Sequence, residues 1–179
     1  NTDFKKAVND CLSDDPVYGN CSDSIFGPIS DWNTSLVTSM QQAFFERTQF
    51  NGNITGWNTA QVTDMRFMFA SASAFNQDIG SWNTAQVTTM TSMFQSAIAF
   101  NQDISEWNVS SVVKMKFMFH NAKAFSQSLE TWAETALTDS NQIFVGADAF
   151  DNLYVCPKED NPKPSKCKAK SPSPPPPPP

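Results

Sequence analysis

Tryptophan stands at residues 32, 57, 82, 107 and 132, once every 25 residues. Other columns keep the same period. Phe50, Phe75, Phe100, Phe125 and Phe150 form one, and Phe44, Phe69, Phe94, Phe119 and Phe144 a second. Ile29, Ile54, Ile79, Ile104 and Leu129 form a third, and Val37, Val62, Val87, Val112 and Leu137 a fourth. Met40, Met65, Met90 and Met115 run until Ser140 breaks their column. Arg47 heads a column that is otherwise alanine, at 72, 97, 122 and 147. A period of this length implies supersecondary units that bury their apolar faces against one another.

Within one unit, Val62, Met65, Phe69 and Ala72 fall at spacings of three and four, which predicts one face of a short helix. Asn58 and Thr59 precede it as candidate caps. Phe75 and Ile79, with Asn76, Gln77 and Asp78 between them, read as a short strand, and Gly80 and Ser81 as a turn. The expected fold is therefore an α/β solenoid. It is a leucine-rich-repeat-like stack of about five coils, each a short parallel strand plus a short helix. At about 4.8 Å per coil the rod would be roughly 25 Å long.

The apolar residues fit repeated use of a few core positions: 15 Phe, 7 Met and 5 Trp stand against 2 Tyr. The net charge of −6 argues against a nucleic-acid surface, which needs clustered Lys and Arg. No apolar stretch approaches the roughly 20 residues of a membrane span. The start at Asn1, without Met, reads as a mature product from which a signal was removed.

Cysteines stand only near the ends, at Cys11, Cys21, Cys156 and Cys167. Two local disulfides, Cys11–Cys21 and Cys156–Cys167, are the simplest of three pairings. A four-Cys zinc site is the rival, although neither pair has the short gap such sites show. Disulfides would imply an oxidising, extracytoplasmic compartment.

The string Trp-Asn-Thr-Ala-Gln-Val-Thr-x-Met-x-x-Met-Phe-x-x-Ala-x-x-Phe-Asn-Gln-Asp-Ile occurs nearly intact at 57–79 and 82–104. It resembles the BspA-type leucine-rich-repeat relatives, a surface-protein repeat of bacteria and microbial eukaryotes, over about residues 25–153. The resemblance implies display outside the cell, with roles in adhesion or protein binding, and supplies no catalytic residue. The last unit departs from it, with Ala133, Glu134 and Thr135 after Trp132, and Ser140 for Met, as expected of a capping unit.

The chain thus divides into an N-terminal cap (1–24), the repeats (25–153), a C-terminal cap (154–170) and a tail (171–179). Phe4, Ala7, Val8 and Cys11 lie on one face of an expected cap helix. Lys163, Lys166, Lys168 and Lys170 form a basic cluster, read as a solvated loop or as an anionic-glycan contact. The tail, with Pro172 and Pro174 through Pro175, Pro176, Pro177, Pro178 and Pro179, favours polyproline II. It resembles the hydroxyproline-rich glycoproteins of plant and green-algal cell walls, in which such prolines are hydroxylated and glycosylated. Asn20, Asn33, Asn53 and Asn108 open N-glycosylation sequons; Asn33 and Asn108 fall in an expected turn, Asn53 on the expected strand.

His120 is the one histidine, and nothing positions a catalytic triad around it. No phosphate loop, paired-His metal motif or nucleophile elbow is present, so no catalytic residue and no cofactor is expected. Asp78 and Asp103 share a column that could hold calcium, but a solvated face accounts for two carboxylates as well. The expected function is that of a secreted, non-catalytic structural or adhesion glycoprotein. Its partners would be extracellular proteins or glycans in a matrix, wall or appendage filament such as a flagellar mastigoneme. The expected binding face is Asn76, Gln77, Asp78, Asn101, Gln102 and Asp103. Alternatives are an ice-binding solenoid, using threonine columns at Thr34, Thr59 and Thr84 and at Thr38, Thr63 and Thr88, and more remotely a hydrolase.

Overall fold

A computed structural model describes residues 2–21 and 26–171. Helix α1 spans Thr2–Asp14 and α2 spans Asp148–Leu153, with single 3-10 turns at Ile29–Asp31 and Pro164–Lys166. Strands β1 (Tyr154–Val155) and β2 (Lys168–Ala169) pair antiparallel, Tyr154 opposite Ala169 and Val155 opposite Lys168. The expected α/β solenoid of strand-plus-helix coils is therefore overturned. Among the described residues no helix and no strand recurs from unit to unit, and the region between the caps is mostly turn and loop.

The backbone shows why the 3/4 spacing does not make a helix. A helix sends every N–H to its own chain four residues back. Here alternate N–H groups leave the unit. Met65, Phe67, Phe69 and Ser71 donate to the carbonyls of Thr89, Thr91, Met93 and Gln95. The residues between close tight turns, with Met68 donating to Met65, Ala70 to Phe67 and Ala72 to Phe69. Phe67 and Ser71 must adopt left-handed φ of 56° and 61° for this alternation, and the pattern repeats at Ser92 and Ser96 and at Phe117 and Asn121. Single parallel bridges then link Ser39 to Asp64, Asp64 to Thr89, Thr89 to Lys114 and Lys114 to Asp139.

The expected strand at 75–79 is also absent, and side-chain amides do the linking there. Asn76 donates its N–H to the Asn51 Oδ1, Asn101 to the Asn76 Oδ1 and Ser126 to the Asn101 Oδ1. Gln77, Gln102 and Gln127 donate their Nε2 to the carbonyls of Asn51, Asn76 and Asn101. An acceptor on the side chain replaces the ladder carbonyl, so the segment bonds to its neighbour without strand geometry.

The columns are core. Phe44, Phe69, Phe94, Phe119 and Phe144 stack at centroid distances of 5.3, 5.7, 5.7 and 5.6 Å. The second phenylalanine column packs against the first, Phe69 on Phe75 at 3.9 Å. The alanines at 72, 97, 122 and 147 are fully buried. Each later tryptophan ties its unit to the one before. The indole N–H groups of Trp57, Trp82, Trp107 and Trp132 donate to the carbonyls of Ile29, Ile54, Ile79 and Ile104.

Helix α1 covers the first unit, burying Val8, Cys11 and Leu12 and setting Phe4 edge-on to Trp32 and Trp57. Arg47 breaks its alanine column to reach this cap, donating to the Asn9 Oδ1 at 2.7 Å. Cys11–Cys21 and Cys156–Cys167 are disulfides. No described helix is long and apolar enough to cross a membrane.

Candidate functional site

The amides expected to face a partner are half-buried and engaged between units, as described above. Asp78 and Asp103 remain exposed. Each closes a local turn, Asp78 accepting from the Gly80 N–H and Asp103 from that of Ser105. The Ser105 bonds hold the Asp103 carboxyl below the usual carboxylate range. Among the described residues no group of three or more His, Cys, Asp or Glu side chains is placed to hold a metal.

All four sequon asparagines are exposed. Asn33, Asn53 and Asn108 share one geometry, the Oδ1 accepting the N–H two residues on, from Ser35, Thr55 and Ser110. Such an Asx turn uses the oxygen and leaves the amide nitrogen toward solvent. Asn53 thus lies in a turn rather than on a strand. The last sequon residue after Asn20 falls outside the described residues, as do Pro172 to Pro179.

The threonine columns separate. Thr34, Thr59 and Thr84 are buried, their hydroxyls donating to the carbonyls of Asn58, Asn83 and Asn108. Thr38, Thr63 and Thr88 are exposed, with Thr63 and Thr88 donating to the carbonyl of the unit before. The basic cluster of the C-terminal cap is largely engaged. Lys163 donates to the Glu134 carbonyl, Lys168 pairs with Glu130, and Lys170 donates to the Asp151 carbonyl.

Sequence reasoning missed what the odd residues of the last unit do. Glu134, 5 % exposed, accepts the N–H and the hydroxyl of Ser165 through its two oxygens, at 2.8 and 2.6 Å. Ser140 donates its N–H to Asn161 Oδ1 and its hydroxyl to the Pro162 carbonyl. Both positions anchor the C-terminal segment rather than offering a polar outer face. Their signal was the break in column: a buried polar residue needs partners, and the segment that follows the last unit is the C-terminal cap.

The units therefore define a protein of a repeat class, held in register by side-chain and backbone bonds and clasped at both ends by a disulfide. The family described as "Mycoplasma protein of unknown function, DUF285" matches residues 15–132 and 79–155, and the chain belongs to it. That membership places the chain, at family level, among BspA-type surface repeat proteins. No curated protein and no solved structure matches the chain.

Proposed function

We propose that the chain is a secreted, non-catalytic structural or adhesion glycoprotein module that contacts extracellular proteins or glycans in a matrix, wall or appendage filament. The observation that carries this reading is the placement of the cysteines. Both disulfides close the ends of a repeat region that contains no cysteine, and such bonds persist in oxidising compartments. Three supports accompany it. The family is a surface-repeat family. Asn33, Asn53 and Asn108 present their sequons on exposed turns. The most regular side chains are taken up by cohesion between units, so contact with partners falls to the irregular polar positions, to attached sugars and to the proline tail.

The test is intact-mass and peptide mapping of material from the native source. The expected result is two intact disulfides, hexosamine on Asn33 or Asn108, and hydroxyproline carrying pentose among Pro172 to Pro179. Free thiols with bare asparagines and an unmodified tail would overturn the compartment and the glycoprotein reading together.

A further inference from the structure

One column breaks its own rule on the surface. Residues 42, 67, 92, 117 and 142 occupy equivalent places, and they read Gln42, Phe67, Ser92, Phe117 and Gln142. Phe67 and Phe117 are half-buried and stand one unit to either side of Ser92, which is 1 % exposed. A small residue between two large ones leaves a slot. A cavity of about 430 Å³ lies there, with Ser92 at its floor and Phe67 and Phe117 among its walls. Two unit steps of about 4.8 Å leave space for one ring at carbon contact distances of about 3.5–4.0 Å on each side.

The remaining lining is polar and carries a positive charge. Thr91, Gln95 and Gln142 bring a hydroxyl and two amides, and Lys116 brings an ammonium 4.9 Å from the Phe117 ring centroid. His120 packs edge-on against Phe117 at 5.5 Å, and its Nδ1 is buried without a hydrogen-bond partner. A second cavity of about 240 Å³, lined by Arg66, Thr89 and Lys114 among others, lies over the same three units. Arg66 is already matched by Asp64, with contacts of 3.0, 3.1 and 2.7 Å, and that pairing raises its pKa further. Lys114 and Lys116 make no ion pair among the described residues. The carboxylate of the following unit, Asp139, closes its own turn onto the Asn141 N–H. This surface is therefore locally cationic on a chain of net charge −6.

We infer that the slot between Phe67 and Phe117 is a subsite for one uronic-acid residue of an acidic polysaccharide, with Lys116 receiving the carboxylate and Lys114 the charge of a neighbouring residue. The inference rests on the adhesion reading and names its ligand class. Aromatic walls suit the C–H faces of a pyranose, and the amides and the threonine suit its hydroxyls. An apolar or aromatic side chain of a protein partner would leave those polar groups unmatched. A neutral sugar would leave both ammonium groups without a counter-charge.

The test titrates the disulfide-intact full chain with a galacturonic-acid oligomer and, separately, with its methyl ester, which keeps the rings and removes the charge. The acid form should bind at least tenfold more tightly than the ester. Ser92→Phe should abolish binding while leaving the unfolding midpoint in place, because Phe67 and Phe117 occupy the same left-handed position, φ 56° and 58° against 55° at Ser92. Lys116→Met should weaken the acid form at least tenfold and leave the ester unchanged. No binding of the acid oligomer, or equal binding by the wild type and Ser92→Phe, would overturn the subsite. Retained binding of some neutral glycan or extracellular protein by Ser92→Phe, with the acid oligomer inert, would overturn the subsite and leave the adhesion reading standing. That reading falls instead on the mass-mapping result.

Discussion

At position 134 the column that holds Thr34, Thr59, Thr84 and Val109 changes to a buried glutamate, and the change fixes where the C-terminal cap segment around Ser165 lies. Removing the carboxylate leaves the N–H and hydroxyl of half-buried Ser165 without their acceptors, a loss toward the lower end of the about 1–3 kcal/mol that buried groups show. Glu134→Ala should therefore lower unfolding free energy by about that amount, read by urea denaturation, and an unchanged midpoint would remove Glu134 as an anchor. The other end has its own carboxylate device. Asp15 accepts N–H bonds from Val17 and Tyr18 at Oδ1 and from Asn20 at Oδ2. These bonds, that from Tyr18 first, hold its pKa below the ordinary value of 3.8. A group depressed in the folded state contributes stability above its unfolded pKa and loses that contribution as pH falls through the folded value. Below about pH 4 the wild type should thus lose stability faster than Asp15→Asn, whose side chain does not titrate. Urea midpoints measured for both between pH 5 and 2 check this, and parallel curves would count against it.

The element scale shows what was legible in the chain and what was not. The period, the core columns, the cap helix over Phe4, Val8 and Cys11 and the local cysteine pairs follow from spacing, because burial and cross-linking are set by side-chain type and position. The secondary structure of the units did not follow. Val62, Met65, Phe69 and Ala72 satisfy a helical face, yet the same residues bury as well on two successive turns. What decides is the destination of each N–H, which an apolar pattern does not encode. One column held a clue: Glu46, Ser71, Ser96, Asn121 and Gly146 all take left-handed φ, and Asn and Gly are the types that tolerate it. The neighbouring column offered none, since Phe67 and Phe117 are residues seldom found there. The structural part of the amide row was hidden for a related reason. An alternating amide row reads as a surface, and here it supplies the acceptors that a strand would have supplied from its backbone. The left-handed column makes a prediction with two signs. Ser96→Gly relieves a φ of 56° and should stabilise by up to about 1 kcal/mol. Gly146→Ala adds a Cβ at φ 75° that meets the Asn121 side-chain oxygen and should destabilise. Thermal unfolding of both variants decides it, and shifts of the same sign would refute the turn-pair description of the unit.

Across the whole molecule the bonds of the turn pairs run toward the next unit, while Thr63, Thr88 and Val113 donate N–H groups back to Thr38, Thr63 and Thr88, as the indoles and the Asn76 and Asn101 N–H groups also do toward the unit before. On the turn-pair face the first unit presents acceptors: the backbone carbonyls of Gln41, Ala43 and Phe45 receive no backbone N–H from another unit among the described residues, and α1 packs over this unit. On the same face the fifth unit presents donors. There Ser140 reaches Asn161, while the N–H groups of Gln142, Phe144 and Gly146, whose equivalents are bonded in every earlier unit, have no acceptor among the described residues. Gln142 and Phe144 line a cavity of about 670 Å³ beneath the C-terminal segment. Hydrogen exchange followed by mass spectrometry tests the asymmetry directly. The amides of Met90, Ser92, Phe94 and Ser96, which are bonded to the fourth unit, should exchange many-fold more slowly than those of Gln142, Phe144 and Gly146. Reducing Cys156–Cys167 should accelerate exchange around Ser140 and Ser165 and leave the second and third units unchanged. Slow exchange at Gln142 and Phe144 would show that these N–H groups have acceptors and would overturn the asymmetry of the turn-pair face.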